Sequence, residues 1–169
     1  PLRYAAYTLN VLLGSSMSSR LFQNIRERQG LAYNIFSELQ LYHDSGCFAV
    51  YAATSPSTVR PLLDSVLHEF RRLKSEPLPP EELLHAKEHM KGSLLLSLEG
   101  TNSRMSNLAR QWLNFGRFFT LDEIAAGIDE VSSEQVLQVA SEFLQPELLA
   151  LTLLGRIDGL PLTREDLAC

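Results

Sequence analysis

Residues 85–89 read His-Ala-Lys-Glu-His. On a helix this spacing stacks two imidazoles one turn apart on the same face and sets a carboxylate beside them. Two such nitrogens can hold a zinc ion while the Glu takes a proton from water, which is the chemistry of a hydrolase built on the order H-x-x-E-H. A third protein ligand is required, and Glu165 is the downstream candidate by distance in sequence, although its segment reads as a tail. His85, Glu88 and His89 are therefore one candidate site. The plain alternative is a solvated i, i+4 pair on an ordinary helix, since short motifs arise by chance.

A chain of 169 residues is long enough for one well-cored domain and short for two. With 45% hydrophobic and 21% charged residues it has the balance of an ordinary globular protein. The net charge of -5 argues against a nucleic-acid or anionic-membrane surface, because phosphate binding needs a basic excess. No apolar run approaches the roughly 20 residues of a membrane span. The opening "PLRYAAYTLN" shows no basic region followed by an apolar stretch, so no signal peptide is expected there. Cys47 and Cys169 form no metal-type spacing and read as free thiols, which mildly favours a reducing compartment.

The elements that must position any site can be read from periodicity. Tyr4, Ala5, Leu9, Leu12 and Leu13 recur at helical spacing up to Gly14. A second short helix has Leu21, Phe22 and Ile25 on one side and ends at Gly30. "LAYNIFSELQLY" and "CFAVYAAT", joined by "HDSG", predict a β-hairpin, with Tyr33, Ile35, Leu39 and Leu41 on one face. After Pro56, the residues Val59, Leu62, Leu63, Val66, Phe70 and Leu73 mark an amphipathic helix. Pro79 and Pro80 suit the entry of the next, about Glu81 to Leu98, which contains the His pair. Helical segments follow around Met105–Phe115, Leu121–Ile128 and Glu134–Leu144, the last with a capping box of Ser132 and Gln135. The final apolar run "LLALTLLG", between Pro146 and Gly155, predicts a strand. Helices, hairpin, helices and strand make an α+β, two-layer sandwich, a mainly antiparallel sheet with helices packed on one face.

On the wheel of the motif helix, Leu83, Leu84, Ala86, Met90, Leu94, Leu95 and Leu98 fall on one broad arc. His85 and His89 fall nearly opposite, with Glu82 beside them. They are expected to point away from the domain's own core. Another domain could close over such a face, but the third ligand has no good candidate and short motifs arise by chance, so the metal reading of His85, Glu88 and His89 is rejected.

A longer match decides the reading. "LLGSSMSSRLFQNIRERQGLAYNIFS", then "EELLHAKEHMKGSLLLSLEGTNSRMSNLARQ", then "TLDEIAAGIDEVSSEQVLQVASEFL" and "LLALTLLGRIDG" closely resemble the C-terminal, non-metal domain of the pitrilysin/insulysin-type zinc peptidases. The likeness is to the shorter, bacterial branch related to the mitochondrial processing peptidase. It implies the corresponding metallohydrolase fold, a single domain over residues 1–169 lacking its first strand, and a bacterial cytoplasmic protein, with the periplasm as alternative. It also implies that zinc and its ligands reside in a homologous N-terminal domain, in the same chain or on a separate subunit. The metal motif of that family lies on an early helix, and here Tyr4–Leu13 contains no His.

What the non-metal half contributes in such enzymes is an Arg and a Tyr seven residues apart, in a segment of the form R-x-x-x-x-G-x-Y. "RERQGLAY" is a close variant of it, with the glycine one position earlier, giving Arg26 and Tyr33. The chemistry is sound: a peptide carbonyl under attack gathers negative charge on oxygen, a phenol donor aimed there stabilises it, and a permanent guanidinium charge adds to the effect and holds substrate carbonyls. The bland alternatives are a solvated charge for Arg26 and a sheet-packed residue for Tyr33. Arg28 reads as a surface charge, His43 as a turn residue and His68 as a helix-surface residue. Trp112, with Leu108 and Phe115, fits core spacing.

The expected function is thus the substrate-binding half of a zinc-dependent endopeptidase that hydrolyses peptides in a closed two-domain chamber. The alternative is a non-catalytic subunit of the same family, acting as heterodimer partner or assembly scaffold. Expected partners are the zinc-binding domain, a peptide substrate and, as a further option, a second copy of the chain; nucleic acid and membrane are not expected. Alone, the chain is expected neither to bind catalytic zinc nor to cleave peptides.

Overall fold

The computed structural model describes residues 2–42, 44–156 and 159–169. The turn residue His43 lies outside them. Helix α1 spans Arg3–Leu13, and a π-helical turn spans Phe22–Arg28. Strands β1 (Asn34–Leu41) and β2 (Gly46–Ala53) follow, then α2 (Val59–Ser75) and α3 (Pro80–Ser97). The chain continues through α4 (Thr101–Phe115), α5 (Leu121–Asp129) and α6 (Ser133–Phe143). Single 3-10 turns lie at Pro146–Leu148 and Arg164–Leu167.

The hairpin is antiparallel, running in register from Asn34 opposite Ala53 to Leu41 opposite Gly46. Two-residue alternation divides it cleanly. Ile35 and Ser37 are buried, and Leu39, Phe48 and Val50 are partly so, packed on the helical layer. Phe48 meets Phe143 of α6 at 6.2 Å between ring centroids. On the outer face Phe36 and Tyr51, opposite one another, stack at 5.1 Å and remain exposed. Helices therefore cover one face of the sheet, as the α+β reading expects.

The core sits where α1, α2 and α6 meet β1. Leu9, Leu13, Leu21, Ile25, Ile35, Val139 and Leu144 are essentially inaccessible. Each such aliphatic side chain contributes about 1.5–3 kcal/mol by leaving water. Close packing makes one glycine obligatory: a Cβ on Gly14 would stand 2.6 Å from the backbone nitrogen of Ser37, which donates to the Gly14 carbonyl at 3.1 Å. The α2 stripe is buried as its spacing predicts, apart from Leu62, which is partly so, and the Ser132–Gln135 capping box forms. A second box, Thr120 with Glu123, opens α5.

Four expectations are corrected. The run "LLALTLLG" is not a strand: its first residue, Leu148, closes a 3-10 turn and the rest enters no ladder. Among the described residues β1 and β2 pair only with one another, and an extended segment without a ladder partner does not become a strand. The apolar arc of α3 is only partly core, since Ala86 alone is buried while Leu84 and Leu95 are more than half exposed. Trp112, Leu108 and Phe115 are not core either; they lie on an exposed face of α4, where Trp112 stacks on Phe118 at 5.5 Å. Helical periodicity tells that a face is apolar, not that the same segment of chain covers it. Finally, the C-terminal segment is docked rather than a loose tail. Lys74 Nζ donates to the carbonyls of Leu144 at 2.9 Å and Cys169 at 2.7 Å, and Leu167 is buried.

Candidate functional site

The two candidate constellations occupy very different settings. His85, Glu88 and His89 all project from α3 into solvent. Glu88 is engaged by Lys91 Nζ at 2.7 Å, and that ammonium also contacts Asp129 at 2.8 Å. The hydrogen bonds to Asp129 and then Glu88 raise the Lys91 pKa above its ordinary value. Glu82 does not join the His pair. It is taken by Arg20, in a two-pronged contact at 2.7 and 2.8 Å. Glu165 lies exposed in the last 3-10 turn. Among the described residues no group of three or more His, Cys, Asp or Glu gathers to hold a metal ion. His85 and His89 thus have no third protein ligand beside them among the described residues, and a zinc site needs at least three.

Arg26 and Tyr33 instead stand at either end of one irregular turn. Its first limb is the π-helical segment, a geometry that is rare and concentrated at functional sites. Ile25 is fully buried and anchors the limb. The Gln29 amide reaches back to the Asn24 carbonyl at 3.2 Å, and the Leu31 amide to that of Ile25 at 2.9 Å. Gly30, at φ 63°, takes the left-handed conformation that lets the chain reverse. The second limb is stapled to the end of β2: Tyr33 N donates to Ala53 O at 2.8 Å, and Thr54 Oγ1 to Leu31 O at 2.6 Å.

The turn is fixed, and both side chains at its ends face outward. Tyr33 is 86% exposed, and among the described residues its hydroxyl makes no hydrogen bond. The sheet-packed alternative for Tyr33 is thereby excluded. The Arg26 guanidinium lies 4.6 Å from the Phe22 ring centroid, a cation–π contact that restrains it, and its side chain is 39% exposed. Its nearest carboxylate, Glu27, is 3.9 Å away, too long for a hydrogen bond. Among the described residues the guanidinium, in a loose ion pair with Glu27, and the phenol thus keep their hydrogen-bond donors for an external acceptor. Arg28 is exposed and donates to Asn24 Oδ1 at 3.0 Å, and His68 is exposed on α2, both as expected for surface residues.

Sequence reasoning missed what supports this turn. Asn24 Nδ2 donates to Glu69 at 2.5 Å, and Glu69 is only 3% exposed. Arg72 shares that carboxylate at 3.4 Å. Arg20, whose side chain is nine-tenths buried, ties the segment before the π-turn to α3 through Glu82. Burial, the largest influence, works against the Arg20 charge, but the Glu82 hydrogen bonds together with the negative charges of Glu82, Glu69 and Glu76 outweigh it, so the pKa is raised. The available signal was Glu69 itself, an acidic residue on the apolar stripe of α2 between Val66 and Leu73. A cleft of about 530 Å³ opens beside Asn24, Gln29, His68 and Glu69, but neither Arg26 nor Tyr33 lines it.

Solved structures share this architecture. The chain is similar to a protease from Helicobacter pylori, with a TM-score of 0.74 at 22% identity, over 83% of this chain and 34% of that one. It is similar also to a peptidase M16 inactive domain from Pseudomonas fluorescens, with a TM-score of 0.73 at 22% identity, over 84% and 34%. The likeness to these structures gives the fold, an α+β domain. The particular family follows from the sequence itself: residues 1–90 match the peptidase M16 inactive domain, and the chain belongs to that family. A Bacillus subtilis (strain 168) protein named an uncharacterized zinc protease is 40% identical over 158 residues, 94% of this chain and 38% of that protein. A Mycobacterium leprae protein of like name is 37% identical over 142 residues, 84% of this chain and 32% of that one. The chain therefore spans about a third of the length of these relatives.

Proposed function

We propose that this chain is the substrate-binding half of a zinc-dependent endopeptidase that closes with a homologous zinc-binding half around a peptide. The reading rests on one observation above all: Arg26 and Tyr33 are presented to solvent from the two ends of a single rigid turn, with their donors uncommitted. The family match supports it. The nucleophile comes from the other half, where the resemblance puts the zinc. Tyr33 donates its phenolic proton in a hydrogen bond to the carbonyl oxygen as negative charge develops, and Arg26 holds a neighbouring carbonyl and adds its charge. The backbone that carries both donors is held before substrate arrives, which limits the reorganisation needed when the charge appears.

Tyr33→Phe in the assembled peptidase tests this. Removing one such donor lowers kcat by about 10²–10³-fold, with KM changed far less. An unchanged kcat would contradict the assignment and favour a non-catalytic subunit.

A further inference from the structure

The geometry points to Glu69 as a positioning residue that acts through Asn24 on Arg26. This inference rests on the reading of Arg26 as a substrate-binding group. Glu69 is a carboxylate at 3% exposure on the face of α2 that otherwise presents Val66, Leu67, Phe70 and Leu73. An acidic group so placed is tolerated only with partners, and its closest is the Asn24 amide at 2.5 Å. Asn24 is two residues before Arg26. Its carbonyl accepts the Gln29 amide across the wide π-type turn, and its side-chain oxygen accepts from Arg28 at 3.0 Å.

A π-helical turn spaces its residues differently from an α-helix and has no strong intrinsic preference to persist. Ile25 fixes the buried side of this one and the Gly30 reversal fixes its end. The Asn24–Glu69 bond fixes the remaining side, so the segment cannot tighten to α-helical spacing and rotate Arg26 relative to Ile25. Small misplacements of a substrate-positioning group lower rates steeply, up to about 10²-fold for 1 Å. Glu69 therefore sets where the guanidinium points without touching substrate.

The test is kinetic, in the assembled peptidase, with Asn24→Ala made alone and in an Arg26→Ala background. Asn24→Ala lowers kcat/KM about tenfold by itself and has no further effect once Arg26 is gone. Glu69→Gln, whose amide oxygen can still accept from Asn24, retains most activity, whereas Glu69→Ala does not. Where Glu69→Ala fails to fold, the half-buried Asn24 site still gives the answer. An equal tenfold loss in both backgrounds would mean that Asn24 and Glu69 only stabilise the fold, and the inference falls. Full activity of Asn24→Ala alongside a damaged Arg26→Ala overturns the positioning role and leaves the substrate-binding reading intact. An undamaged Arg26→Ala overturns both.

Discussion

The His85–His89 face of α3 and the Arg26–Tyr33 turn are instructive side by side. The first has the more specific short motif, yet it lies on a regular helix with its carboxylate already held by Lys91. The second has residue types that occur on any surface, yet it sits where the backbone departs from regular geometry twice, at a π-turn and at a left-handed glycine. Two buried charged side chains, Glu69 and Arg20, tie that segment to α2 and α3. Among the described residues no buried charged side chain supports the His pair. Chemistry needs groups mounted on a supported backbone, and that support distinguishes the two regions better than letter spacing does.

This contrast can be attacked at its supports. Glu82→Ala leaves the nearly buried Arg20 guanidinium without its partner. Breaking fully buried pairs costs about 3–5 kcal/mol, and the 30% exposure of Glu82 reduces this to about 2 kcal/mol of unfolding free energy. Denaturant titration checks this, and a loss below about 0.5 kcal/mol would show that the tie does not hold the π-turn. Gly30→Ala strains a position at φ 63°, for about 1 kcal/mol. No neighbouring atom would meet the added methyl, so the cost is purely conformational. The same denaturant measurement applies, and a neutral or stabilising effect would remove the left-handed turn from the account.

The smallest effect concerns the other region. Hydrogen bonds to Asp129 and Glu88 raise the Lys91 pKa in the folded state. A raised lysine contributes stability that is fully present below its unfolded value and is lost as pH rises through the folded one. The loss therefore falls on the alkaline side, above the ordinary lysine range. An NMR titration of the Lys91 side chain should inflect above that ordinary value. Inflection at or below it would mean that Glu88 is free, and would reopen the His pair as a functional face.

Much of the scaffold was legible in the sequence. The α2 stripe, the hairpin and the Ser132 cap each announce themselves along one stretch of chain, through helical spacing, alternation around turn residues and a capping box, so local pattern sufficed. The rest depended on partners that a pattern does not name. Trp112 and the arc of α3 obey helical spacing but lie largely uncovered. "LLALTLLG" has strand composition without a ladder to join. The π-turn differs from an α-turn by one residue of hydrogen-bond register, and Asn24 meets Glu69 across 45 positions. Arg26 and Tyr33 came into view through family resemblance, and their exposure and rigid mounting were visible only in three dimensions.

The central claim is that the working groups of this chain are on the turn and not on the helix with the zinc-like motif. The direct test is the peptide-cleavage rate of the assembled enzyme carrying either His85→Ala/His89→Ala or Arg26→Ala/Tyr33→Phe. The account predicts a wild-type rate for the first pair and a loss of about 10³-fold for the second. The reverse result would contradict it.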